Sequence, residues 1–121
     1  MKMKTSELTD AALDWAVCEA TGLLDAYPLT RKRFLKQWLG NSGKFLHPST
    51  DWSQGGPIIE REGIDLIKQD GYWDADDNGQ AQVSCMVSGP TPLIAAMRCF
   101  VASKLGDEIE VPGELKGGVK N

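Results

Sequence analysis

Apolar positions along the chain fall into two clear helical stripes, one shorter helical stretch and one region that alternates. Leu8, Ala12, Trp15 and Ala16 are spaced three or four apart, which places them on one face of a helix. Ser6 or Thr9 is suited to cap its start, with Glu7 and Asp10 where the positive end of the helix dipole favours carboxylates, and Gly22 predicts its stop. The longest stripe is Leu93, Ile94, Met97, Phe100, Val101 and Leu105, opened by Gly89-Pro90-Thr91-Pro92 and closed by Gly106. Between them, Ile58, Ile59, Glu60, Arg61 and Glu62 predict a helix that starts near Thr50 or at Pro57 and ends at Gly63.

Alternation follows. Ile64, Leu66 and Ile67 around Asp65 predict a strand; Asp70-Gly71 and then Asp74 to Gly79 supply turn residues. Gln80 to Val87 predicts a second strand, with Val83, Cys85 and Val87 on one face, and the two strands together make a hairpin. Leu23 to Pro48 is less regular: Tyr27-Pro28 marks a turn, and Thr30 caps a short helix bearing Phe34, Leu35, Trp38 and Leu39. It is expected to be a partly helical surface excursion, over residues 23–46 of the domain. The order helix, excursion, helix, hairpin, helix predicts an α+β domain over residues 1–110, in which three or so helices cover a small antiparallel sheet. Residues 111–121, with Pro112, Gly113, Gly117 and Gly118, are expected to form a flexible tail.

At 121 residues the chain is long enough for one core, folding hides roughly two-thirds of its unfolded surface, and a hydrophobic fraction of 41% is ordinary for a globular protein. The formal net charge of -4 and pI of about 4.9 argue against wrapping nucleic acid, whose affinity comes from cations at phosphates. The basic run with Arg31, Lys32, Arg33, Lys36 and Lys44 beside Phe34 and Trp38 reads as a solvated helix face in preference to a nucleic-acid patch. There is no apolar run long enough for a membrane span and no apolar core of a secretory signal near the start, so the expected location is the cytoplasm. Cys18, Cys85 and Cys99 are odd in number and widely spaced, as expected of reduced core thiols.

Catalytic and metal chemistry find little support. His47 is the single histidine and precedes a proline in a loop, with no recognisable nucleophile or orienting carboxylate. Asp74, Asp76, Asp77, Asn78 and Gly79 resemble part of a calcium loop, but Ala81, Gln82 and Val83 follow where a glutamate is needed, so a polar turn is the better reading. The chain has no glycine-rich phosphate loop and no nucleophile elbow. No cofactor, metal or enzymatic activity is expected.

Two segments can bind. In Trp52-Ser53-Gln54-Gly55-Gly56-Pro57 the glycines admit a ligand to the backbone, Ser53 and Gln54 offer hydrogen bonds, and Trp52 offers a stacking surface. The structural alternative is a tight turn with Trp52 in the core. In Ser88-Gly89-Pro90-Thr91-Pro92, Thr91 caps a helix whose first amides, at Leu93 and Ile94, suit an anion, with Arg98 two turns on as an auxiliary cation. Plain capping is the alternative there.

The blocks MKMKTSELTDAALDWAV, STDWSQGGPIIEREGI and GPTPLIAAMRCFVASKLGDEIEVP make the chain resemble the NinX-like proteins of tailed bacteriophages. More distantly, the helix–hairpin–helix order is similar to phage α/β/α sandwich domains, which implies a layered fold. Neither resemblance brings catalytic residues with it. It implies an accessory protein of the host cytoplasm that acts stoichiometrically, for instance by sequestering a nucleotide signal of host defence. The expectation is therefore a protein that holds a small anionic, nucleotide-like ligand through Trp52, Ser53, Gln54, Gly55, Gly56, Thr91, Leu93 and Arg98. The alternative is a module that inhibits or adapts a host protein, anchored by Trp38, Phe34 and Trp52; a small hydrolase ranks third. A homodimer is compatible with the number of tryptophans.

Overall fold

The computed structural model describes residues 2–21, 48–77 and 86–111. In chain order they form β1 (Lys2–Lys4), a 3₁₀ turn (Thr5–Glu7), α1 (Asp10–Ala20), α2 (Trp52–Glu62), β2 (Asp65–Lys68), β3 (Trp73–Asp76), β4 (Met86–Gly89), α3 (Pro92–Leu105) and β5 (Glu108–Glu110). Three helices with two small antiparallel sheets make the fold α+β, as the periodicities predict.

α3 is the centre of the molecule. It lies against all three strands of the β2-β3-β4 sheet, and α1 and α2 pack on it from elsewhere. Leu93, Met97, Phe100 and Val101 are buried as their spacing predicts, but so are Ala95, Ala96, Arg98 and Cys99, because the helix has neighbours nearly all round. Small residues serve that position: an alanine lets a neighbouring backbone approach closely. Gly89 at the end of β4 shows how closely, since a Cβ there would stand 2.6 Å from the Ala95 nitrogen. The layering thus runs from sheet to α3 to the other helices.

The hairpin is a three-stranded meander. Asp74 and Asp76 read as turn residues, yet Trp73–Asp76 forms the central strand, paired in register with β2 (Leu66 opposite Ala75) and with β4 (Ala75 opposite Val87). Its alternation explains the strand: Trp73 and Ala75 face the core, and Asp74 and Asp76 face away. The strand predicted over Gln80 to Val87 is seen as Met86–Gly89, while Val83 and Cys85 lie outside the described residues.

The second sheet was not predicted at all. β1 and β5 pair Lys2 with Glu110 and Lys4 with Glu108, opposite charges directly across from each other, and send Met3 and Ile109 into the core. Thr5 secures the junction by donating its hydroxyl to the Gly106 carbonyl at 2.7 Å and its amide to the Asp107 carbonyl at 2.7 Å. Val111, assigned to the tail, is buried in the core. Residues 112–121 lie outside the described residues, as do the excursion with Phe34 and Trp38, the basic run, His47 and Gly22.

α1 carries its predicted stripe of Ala12, Trp15 and Ala16, but also buries Leu13, Val17 and Cys18. It ends at Ala20 with Thr21 as its C-cap, before Gly22. Asp14, itself buried, accepts the Ser49 amide at 2.8 Å and so fixes the Pro48–Thr50 turn to this helix. Burial, with the Asp14 charge adding to it, pushes the Cys18 thiol up to about 12 from an ordinary 9.0. The unfolded chain ionises this thiol first, so its contribution to stability falls as pH rises above about 9. Iodoacetamide at mildly alkaline pH is expected to leave Cys18 and the equally buried Cys99 unmodified in native protein and to label both in urea, as read by peptide mapping.

Candidate functional site

The segment Trp52–Pro57 is the first part of α2, with Pro57 inside the helix. This corrects the loop reading and the start at Pro57, and bears out the start near Thr50. Asp51 is the N-cap: its carboxylate accepts the Ser53 amide at 2.9 Å, the Ser53 hydroxyl at 2.7 Å and, at 3.4 Å, the Gln54 side-chain amide. The sequence carried a signal for this, since Asp51 stands three residues before Gln54, the spacing of a capping box.

Helical geometry sorts the candidate residues. Gly55 turns inward and is buried; a Cβ there would meet the Pro48 carbonyl oxygen at 2.5 Å and Leu93 Cδ1 at 2.6 Å. The glycine therefore lets three chain segments close on one another, and Leu93 is buried in the same contact. Trp52 turns outward, 53% exposed, with Ser53 exposed beside it and Gln54 and Gly56 half-buried. The Trp52 side chain lies back towards Gly56, where an added Cβ would sit 4.0 Å from Cε3.

The second candidate segment opens α3 as predicted. Thr91 is the N-cap, its hydroxyl accepting the Ile94 amide at 3.1 Å, and Pro92 begins the helix. Thr91 and Pro90 are exposed. The Gly55 to Leu93 contact shows that the two candidate segments do meet, through their buried sides.

Arg98 faces elsewhere. Its side chain is nearly buried, Nε donates to the Leu8 carbonyl at 2.8 Å and a terminal nitrogen donates to the Ser88 carbonyl at 2.9 Å. Burial draws its pKa down, the Glu7 charge acting the other way, and the guanidinium remains a cation at any ordinary pH. It ties the entry to α1 and the strand β4 to α3.

What remains outward is the Trp52 ring with Ser53 next to it in the chain and, separately, Thr91 at the start of α3. Both helix starts already have a side-chain acceptor on their amides, and Asp51 places a carboxylate beside Trp52. Such a surface can stack, bury apolar area and exchange hydrogen bonds, but it offers no cation of its own from the candidate set. Among the described residues no group of three or more His, Cys, Asp or Glu side chains is placed to hold a metal ion. No described helix is long and apolar enough to cross a membrane.

Compared with known proteins, residues 4–104 match the family model described as Bacteriophage P22, NinX. None of the curated proteins matches the chain.

Proposed function

The chain belongs to the bacteriophage P22 NinX family, and on that premise we propose that it is an accessory protein acting by stoichiometric binding, with Trp52 anchoring a protein of the infected host. The observation that carries this reading is Trp52 itself: a large ring, half exposed at the first turn of a well-capped helix, held on a rigid element. Exposed tryptophans concentrate binding energy at protein interfaces because they bury much area at small entropic cost.

A small anionic, nucleotide-like ligand is the second reading, favoured by the meeting of the two segments at Gly55 and Leu93. In it the ring of Trp52 stacks a base while Ser53, Gln54 and Thr91 hydrogen-bond. Capping and charge tell against it: the Ile94 amide is already met by the Thr91 hydroxyl, and the guanidinium of Arg98 is occupied by two backbone carbonyls.

Trp52→Ala separates the readings. Tagged wild-type and variant proteins, recovered from infected cells and measured by native mass spectrometry, are expected to differ in one stoichiometric protein partner, present with wild type and absent with the variant. The melting temperature should fall only modestly, since about half of the side chain is already solvated. A nucleotide-sized mass released from wild type and missing from the variant supports the ligand reading instead; a partner retained by Trp52→Ala rules out the anchor.

A further inference from the structure

Charge is segregated along this chain. Between Asp25 and Asp51 stand five of its thirteen lysines and arginines (Arg31, Lys32, Arg33, Lys36 and Lys44) and none of its seventeen aspartates and glutamates. The remainder therefore has eight cations and seventeen carboxylates, a net charge of -9. Phe34, Leu35, Trp38 and Leu39 lie among the five cations. A stretch both basic and aromatic is matched by a surface both acidic and apolar.

The β2-β3-β4 sheet presents such a surface on the side away from α3. Leu66, Trp73, Ala75 and Val87 face α3 and the core, and by the alternation of the strands the other face carries Asp65, Ile67, Asp74, Asp76, Met86 and Ser88. A solvated sheet face is ordinarily polar throughout, yet Ile67 is 42% exposed and Met86 57% exposed, one on each outer strand. No lysine or arginine stands on this face of the three described strands. Asp74 accepts the Ser88 hydroxyl at 2.7 Å and the Gln69 side-chain amide at 3.0 Å, and Asp76 has a partner of its own. Together with Asp65 they still give the face a negative potential, which draws in a cationic segment without any one carboxylate having to be vacant.

We infer that the outer face of this sheet is a self-association surface, and that its occupant is residues 31–44 of a second copy of the chain. The points where residues 22–47 leave and rejoin the described structure favour a second copy over the same one. Thr21 ends α1, and Pro48 lies against Gly55 of α2; both helices pack on α3, whose other contacts are with the inner face of the sheet. To cover its own outer face the stretch would have to pass α3 and the sheet and return, about 20 Å each way at layer spacings of roughly 10 Å. Within the single chain Ile67 and Met86 stay open. A neighbour's face needs no such detour. Because the face and the ends of the stretch lie on opposite sides of α3, the contact is head to tail: each copy gives its stretch to one neighbour and its face to another. The surface is distinct from the one at Trp52 and does not depend on it.

Sedimentation of the full chain tests this. The mean mass of wild type is expected to rise above 13.2 kDa with concentration at low salt and to return towards it as salt is added. Asp65→Lys/Met86→Lys spoils the face and Arg31→Glu/Arg33→Glu spoils the segment, and each variant alone should associate about tenfold more weakly than wild type or worse. The decisive measurement is their mixture. One intact segment then meets one intact face, so the two variants should form a 1:1 complex that grows no further, and its formation also shows that both have folded. The face substitutions replace exposed side chains, so that variant should in any case melt close to wild type. A wild type that stays monomeric at low salt, folded variants that do not combine when mixed, or association that survives both variants and is lost in Trp52→Ala each overturn the assignment.

Discussion

Gly55→Ala is expected to destabilise the chain by about 2–4 kcal/mol, although alanine is the better helix former by about 1 kcal/mol. The local gain is overridden because the new methyl has no room: its carbon would stand 2.5 Å from the Pro48 carbonyl oxygen and 2.6 Å from Leu93 Cδ1. Leu93 can change rotamer only into a filled core, and Pro48 belongs to a turn that Asp14 holds through the neighbouring Ser49 amide. The adjacent substitution is expected to be much milder. Beyond its chain neighbours, Gly56→Ala meets nothing nearer than Trp52 Cε3 at 4.0 Å, and its gain of up to about 1 kcal/mol in helix propensity is offset by crowding of the new Cβ against the ring of Pro57. Urea unfolding of the two variants beside wild type checks both, and equal shifts in the same direction would mean that α2 and α3 do not close at Gly55.

That pair of glycines also shows what could be read from the chain before its structure. Periodicity placed α1, α3 and the second half of α2, because their apolar stripes are strong and local. It also marked Trp52 to Gly56 as unusual. It could not tell that Gly55 admits a carbonyl and a leucine, not a ligand, since the partners lie in Pro48 and in a helix far along the chain. β3 was lost to the turn preference of Asp74 and Asp76, although Trp73 and Ala75 alternate with them in the period of a strand. β1 and β5 were out of reach of any local window: each is three residues long, rich in lysine or glutamate, and exists only because the partner strand arrives from the other end of the described chain. The candidate site fared similarly. Trp52, Ser53 and Thr91 are exposed, against the alternative of a core Trp52, whereas Gly55, Leu93 and Arg98 belong to the packing. Ile67 and Met86 went unnoticed because a hydrophobic residue in a strand is ordinarily assigned to the core.

Arg98 gives the sharpest contrast between a binding role and a structural one, since the two roles predict different observables for one substitution. Arg98→Met keeps most of the aliphatic stem and removes the guanidinium, leaving the carbonyls of Leu8 and Ser88 without the donors that now meet them at 2.8 and 2.9 Å. Hydrogen bonds from a charged donor contribute roughly 1.5–3 kcal/mol each, and part of the loss is offset because the cation no longer has to be desolvated, so a net fall of about 2–4 kcal/mol is expected. Arg98→Lys should recover a minor share: a single ammonium can reach one of the carbonyls, but it lacks the planar fork that spans both. A residue whose business was an anionic ligand would behave otherwise, with Arg98→Met weakening that ligand and leaving the urea midpoint in place, or even raising it as a buried charge is lost. Loss of stability in Arg98→Met, with partial return in Arg98→Lys, therefore assigns the guanidinium to joining the entry of α1, the strand β4 and the central helix, and leaves recognition to the side chains that face outward.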